Sequence, residues 1–252
     1  MPKSKNKEVV ISLSGGLDST VLAYYLKDQG YKLISAFIDF GTDSSQRELA
    51  AAKYFAMDMR IPFEVIDFRG LGGLIKAYGF VGQLDGGDSP DPDPEFGADA
   101  DNLMGASNDM FVPTAFYNTI APITYLSRVL NVNRIAVGII ENNVKARPSS
   151  SEFFKSWEKI IPNFDASERS KTRGFEVLLP FEKMDKSQVI HEAIRLGVPL
   201  DTTFSCYKGR TLHCGTCSSC KERIKAFKDA KVEDPTWYEK SPYVAGPQTR
   251  KR

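Results

Sequence analysis

Residues 11–20 read ISLSGGLDST. The apolar run from Glu8 to Leu13, rich in Val and Ile, predicts a buried strand. Asp18 to Gln29 predicts a helix with Val21, Leu22, Tyr25 and Leu26 on one face and Gly30 as its stop. Between them the chain leaves a strand through Gly15 and Gly16, which permit positive φ and close backbone approach. Amides at the start of a helix converge on one spot, with the positive end of the helix dipole behind them. That is an anion site. Ser14, Ser19 and Thr20 add hydroxyls suited to phosphate oxygens. Asp18 would repel phosphate unless it holds a cation, a need that Mg²⁺ meets. A Walker loop would require GxxxxGK[ST], and no Lys follows these glycines; the dinucleotide fingerprint GxGxxG is absent too. The competing reading is a plain turn closed by a Ser or Asp cap.

Working outward, Leu33 to Phe40 predicts a second strand, Ser45 to Met59 a helix and Phe63 to Phe68 a third strand. Strands alternating with helices imply an α/β, doubly wound, mostly parallel sheet. Gly82 to Met110 breaks the pattern with eight acidic residues, no basic ones and several Pro and Gly. It reads as an acidic loop over about 82–110, either a solvated insertion or a lid. Order is expected again in a helix over Thr114 to Leu130, a strand over Arg134 to Ile139 and a helix over Ser150 to Ile161. A short strand over Glu176 to Leu179 follows, then helices over Lys186 to Leu196 and Ser218 to Asp229. The expected division is an α/β domain over 1–200, a helical metal-binding region over 201–230 and a tail over 231–252.

The chain has 252 residues, 42% apolar and 26% charged, with a formal net charge of +1. Such a charge supplies no global field for nucleic acid or a membrane, although a local basic patch stays open. MPKSKNKEVV is not followed by an apolar signal core, and no run approaches the length of a membrane span. A cytoplasmic location is expected.

The four cysteines, Cys206, Cys214, Cys217 and Cys220, lie within one short stretch, spaced C-x7-C-x2-C-x2-C. CxxC turns let two thiolates face one ion, and four thiolates match tetrahedral Zn²⁺. Two disulfides or unligated thiols are the alternative. His213, beside Cys214, is placed outside the ligand set, which the four cysteines complete.

SGGLDST resembles the pyrophosphate-binding loop of the N-type ATP pyrophosphatases (PP-loop proteins). These adenylate a substrate oxygen, release pyrophosphate and let a nitrogen or sulfur nucleophile displace AMP. The block Thr202 to Phe227 resembles the C-terminal signature of the 7-cyano-7-deazaguanine (preQ0) synthase family, through Ser205, Cys206, Tyr207, Cys214, Gly215, Cys217, Cys220, Arg223, Ala226 and Phe227. Phe37 to Gly41 is similar to that family's DYG segment, Phe111 to Pro113 to its VP segment, Gly138 to the glycine ending a strand, and Pro180 and Lys186 to its P-L-x-x-x-x-K segment. The resemblance covers about residues 8 to 228. It implies an adenine nucleotide alpha hydrolase-like, Rossmann-like fold with a small C-terminal zinc-binding region built on the four cysteines. It also implies an ATP-dependent C–N ligase of deazapurine (queuosine) biosynthesis, using ATP, Mg²⁺ and Zn²⁺, and a homodimer. The small-molecule substrate would be 7-carboxy-7-deazaguanine, with ammonia as nucleophile, giving an amide and then a nitrile.

On that resemblance Ser14, Gly15, Gly16, Asp18, Ser19 and Thr20 hold pyrophosphate and magnesium. Lys186 is the cationic phosphate partner and, with Asp18, catalytic; Asp39 lies near the nucleoside. The zinc is structural, because a closed set of four thiolates has no open position. The chain departs from the family after Val112-Pro113, where TAFYN replaces GRN, and at ENNVKARPSSSEF, where the family has a D-x-SGYPD-like segment. Both lie on the expected substrate side. Arg147 is the nearest replacement to grip the substrate carboxylate, with Lys145 a less specific alternative. The departures also fit a diverged ligase that joins the activated acid to another amine, for instance on a protein partner in antiphage defence. A tRNA-modifying PP-loop ATPase is a further alternative, disfavoured by near-zero charge and no added RNA-binding domain. A non-catalytic nucleotide-binding scaffold is disfavoured by the intact SGGLDST.

Overall fold

The computed structural model describes residues 7–71, 115–146, 150–164 and 174–239. Five strands form one parallel sheet: β1 (Glu8–Ser12), β2 (Lys32–Asp39), β3 (Phe63–Asp67), β4 (Arg134–Ala136) and β5 (Glu176–Leu178), in the order β3-β2-β1-β4-β5. The helices include α1 (Leu17–Asp28), α2 (Ser45–Met59), α3 (Ala115–Val129), α4 (Glu141–Ala146), α5 (Ser150–Phe164), α6 (Lys186–Arg195) and α7 (Ser218–Ala230). The doubly wound α/β expectation therefore holds.

β1 is the middle strand and apolar on both faces, as a strand covered on both sides must be. Val9 and Ile11 join one core with α1, α2, α6 and α7, whereas Val10 joins the other with α3 and α5. The chain builds β1, β2 and β3 in one direction and then returns to β4 and β5 on the other side of β1. The order thus reverses between β1 and β4, and the crevice at their carboxyl ends is where open α/β sheets bind ligands.

Two local outcomes differ from the sequence expectation. β4 stops at Ala136 rather than Ile139. Its neighbour β5 ends at Leu178, whose carbonyl accepts from Val137 N at 3.1 Å, and Pro180 beyond has no N–H to extend the ladder. The residues freed by this early stop turn into the unexpected short helix α4, which Ile140 N enters by donating to Asn143 Oδ1 at 2.9 Å. The acidic 82–110 segment and the stretch around Val112-Pro113 lie outside the described residues.

Candidate active site

The 14–19 loop is fixed by its own small side chains. Ser14 Oγ and Ser19 Oγ lie 2.9 Å apart, Ser14 N donates to Ser19 Oγ at 3.2 Å, and Gly16 N donates to Ser14 Oγ at 3.3 Å. Gly15 has φ +77°. Gly16 is the N-cap of α1, and no side chain caps that helix. The alternative of a Ser- or Asp-capped turn is thereby removed, and the helix start keeps its positive end toward the crevice.

The loop faces a cleft of about 250 Å³. Its lining from the loop side includes Ser14, Gly16, Asp18 and Ser19, with Asn143 from α4, Lys186 from α6, and Ser205, Tyr207, Ser219 and Glu222 from the cysteine-bearing segment. A second cleft of about 470 Å³ shares Asp18, Asn143, Lys186 and Glu222 with the first and extends past Glu141, Asp185 and Asp229. On α7, Ser219, Glu222 and Arg223 follow the i, i+3, i+4 spacing that puts them on one face.

Lys186 is the first residue of α6, where a cation opposes the helix dipole. Its side chain is 19% exposed, with Nζ 3.4 Å from Asp18 Oδ2 and 3.5 Å from Glu222 Oε2. Burial pulls its pKa down, but the Asp18 and Glu222 carboxylates outweigh that and leave it raised, so the ammonium stays charged. The capping box between Asp185 and Gln188 fixes the helix start that presents it. Asp18 Oδ1 is buried and has no hydrogen-bond partner among the described residues, the condition of an acceptor suited to a cation.

The four cysteines are buried, and their sulfurs all lie within 4.8 Å of one another. None is in a disulfide. Cys214 and Cys220 sulfurs are 3.8 Å apart, about the edge of a tetrahedron with 2.3 Å metal–sulfur bonds. Cys214 Sγ accepts from Thr216 N at 3.4 Å and Cys217 N at 3.3 Å, and Cys206 Sγ from Cys214 N at 3.3 Å; these amides favour thiolates. Packed this closely, thiols compete for charge. Bonds from Cys206 and Cys220 lower the pKa of Cys217, and Cys206 and Cys220 are themselves pushed up. A divalent cation among them resolves that competition, so the donor set fits a metal. His213 Nε2 is engaged elsewhere, accepting from Ser205 N at 3.2 Å.

This segment is docked on the loop. Phe204 N donates to Gly15 O at 2.9 Å, and Arg47 of α2 donates to Thr211 O at 2.8 Å while stacking over Phe204. Arg223, buried to 1% exposure, binds Thr203 Oγ1, Leu200 O and Thr236 Oγ1, and lies 3.7 Å from the equally buried Asp234. Residues on both sides of the 230 boundary are thus clamped together.

Residues 8–231 match the family model of the queuosine biosynthesis protein QueC. The chain belongs to the QueC family. This QueC-family chain is 27% identical over 235 residues to the 7-cyano-7-deazaguanine synthase of Methanoculleus marisnigri, covering 93% of the chain and 100% of the relative. It is 31% identical over 239 residues to the 7-cyano-7-deazaguanine synthase 2 of Sulfurisphaera tokodaii, covering 93% of the chain and 48% of that relative. Among solved structures, the NMN synthetase of Francisella tularensis aligns with a TM-score of 0.46 at 12% identity, over 91% of this chain and 79% of that one. No helix among the described residues is long and apolar enough to cross a membrane.

Of the residues singled out from the sequence, Ser14, Gly16, Asp18, Ser19 and Lys186 come together around one cleft in this QueC-family chain. Gly15 faces α2 instead, and Thr20 is fully buried outside the cleft lining. Asp39 stands at the carboxyl end of β2, where its Oδ1 accepts from Gly41 N at 2.8 Å. Arg147 and the side chain of Lys145 lie outside what is described. Glu222 and Asn143 are cleft residues that sequence reasoning misses. Glu222 sits two residues past Cys220, where an isolated acid on a helix carries no signal, and Asn143 belongs to the helix that the sequence does not predict.

Proposed function

We propose that this chain adenylates a 7-carboxy-7-deazaguanine-type carboxylate with ATP and converts it, with ammonia, to the amide and then the nitrile. The names of the relatives support the end product. The observation that carries the reading is the uncapped start of α1 opposite Lys186, at the reversal point of the sheet.

A carboxylate is a poor electrophile, since its charge repels a nucleophile and oxide leaves badly. In the first half a carboxylate oxygen bonds the α-phosphorus of ATP and pyrophosphate leaves. Ammonia then adds to the acyl carbon, and AMP departs with the former carboxylate oxygen, leaving the amide. In the second half the amide oxygen is adenylated by another ATP. Loss of AMP and the nitrogen-bound protons gives the nitrile. No enzyme nucleophile is required, so catalysis is positioning and charge stabilisation. The amides at the start of α1 and the hydroxyls of Ser14 and Ser19 receive phosphate oxygens, and Lys186 offsets their charge. Asp18 is the residue to hold Mg²⁺, which supplies further charge neutralisation when bound. Thr20 N closes the turn by donating to Gly16 O at 3.1 Å, and Asp39 is assigned to the nucleoside end. Arg147 is assigned the substrate carboxylate on charge grounds. Cys206, Cys214, Cys217 and Cys220 would hold Zn²⁺, which supplies folding energy.

Mass spectrometry of products after incubation with ATP, Mg²⁺, the acid and ammonia tests this reading. The expected outcome is the nitrile with two pyrophosphates released per turnover. Accumulation of the amide alone would point to a ligase that stops halfway, and no pyrophosphate release would reject the reading.

A further inference from the structure

We propose that Ser205 is a further binding residue of the cleft, its hydroxyl donating to a phosphate oxygen held by the Ser14–Ser19 loop. The inference rests on the proposed function in taking this cleft as the pyrophosphate seat. Ser14 Oγ and Ser19 Oγ are engaged with each other, and Ser19 Oγ also reaches Gly16 O at 3.3 Å. Ser205 Oγ, in the same lining, is buried and has no hydrogen-bond partner among the described residues. A buried hydroxyl left without a partner costs stability, so its retention in a cleft that gathers polar groups points to a ligand.

The backbone around Ser205 is held from both sides. Phe204 N is tied to Gly15 O at 2.9 Å, and Ser205 N donates to His213 Nε2 at 3.2 Å. His213 is itself gripped by the chain that follows α7: its N donates to Trp237 O at 3.1 Å and its O accepts from Glu239 N at 2.8 Å. Its ring packs between Phe204 and Tyr238, with centroids 4.8 and 5.8 Å away. With the backbone fixed, Ser205 keeps only rotation about χ1 and its hydroxyl, which moves the oxygen among three staggered positions at little cost. Among the described residues, Asp18 Oδ1 is the other unpartnered buried atom belonging to this lining. One orphan is a pure acceptor, suited to a cation. The other can donate, and suits an anion. The two together match a metal–phosphate group.

Ser205→Ala removes one oxygen and tests the assignment by two measurements. In the ligand-free protein, Tm should stay equal or rise, because an unsatisfied hydroxyl is lost. Calorimetric affinity for inorganic pyrophosphate with Mg²⁺ should fall about ten- to a hundredfold, the scale of a hydrogen bond to a charged group. Equal pyrophosphate affinity in variant and wild type would overturn the inference while leaving the phosphate cleft in place. A Tm several degrees lower would also overturn it, by showing that the hydroxyl holds the fold. Failure of the wild type itself to bind pyrophosphate would remove the phosphate reading, and this inference with it.

Discussion

Gly15 and Gly16 are adjacent and look interchangeable, yet their roles differ. At Gly15 (φ +77°) an added Cβ would lie 2.6 Å from Glu48 O, 2.7 Å from Ala52 N and 2.8 Å from Ala51 Cβ, so α2 packs directly onto its backbone. At Gly16, with φ −72°, the nearest atoms would be Ser14 Oγ at 3.3 Å and Phe204 O at 3.6 Å. Gly15→Ala should therefore cost about 2–4 kcal/mol, combining left-handed strain with overpacking against backbone. Gly16→Ala should cost under about 1 kcal/mol and act instead on ligand affinity. Urea denaturation of both variants checks this; equal stabilities would refute it. The pair was legible in the sequence as a place of close approach. What approaches Gly15 is α2, which only the folded chain brings there.

At the scale of the element, α2 carries a titrating group beside the same turn. Thr42, Ser44 and Ser45 form a hydroxyl chain at the start of the helix, with Thr42 Oγ1 3.1 Å from Ser44 Oγ and 3.0 Å from Ser45 Oγ, and Ser44 Oγ donates to Glu48 Oε1 at 2.9 Å. Burial raises the Glu48 pKa to about 7; the Ser44 bond opposes this and the nearby Asp39 adds to it. The folded protein thus binds more protons than the unfolded one between the ordinary carboxyl range and about pH 7. The associated stability is complete below about pH 4.5 and is lost as pH rises through 7. Glu48→Gln, which can still accept from Ser44, should match wild type near pH 4.5. At pH 8 it should be more stable by about 1–3 kcal/mol, since each tenfold difference in proton affinity between folded and unfolded chains is worth about 1.4 kcal/mol. Parallel stability curves for the two proteins across this range would count against it. Helix α2 was readable from periodicity to its boundaries. The charge state of Glu48 was not, because it depends on which groups fold against it.

Across the whole molecule, the cysteine-bearing segment forms one wall of the cleft and is not a separate appendage. Gly209 (φ +57°) packs so closely on Asp43 O that an added Cβ would lie 2.0 Å away, and Phe204 N binds Gly15 O. Removing a metal from the four sulfurs should therefore unsettle the Ser14–Ser19 loop as well. Structural zinc contributes about 10–16 kcal/mol in small metal-folded peptides, comparable to the ~5–15 kcal/mol stability of a whole domain. Chelation should release one zinc per chain, lower Tm by more than about 10 °C in a single transition, and abolish pyrophosphate binding. Two separate transitions, or binding that survives chelation, would show the units to be independent. The alternating apolar runs determined a doubly wound parallel sheet, SGGLDST marked a tight strand-to-helix turn on two glycines, and the cysteine spacing marked a clustered thiol set suited to a metal, because all three depend on periodicity and local geometry. The meeting of Asp18, Lys186 and Glu222, the orphaned Ser205 hydroxyl and the opposite roles of the two glycines were decided by tertiary structure alone. These depend on distances between residues far apart in sequence, which packing sets and spacing does not encode.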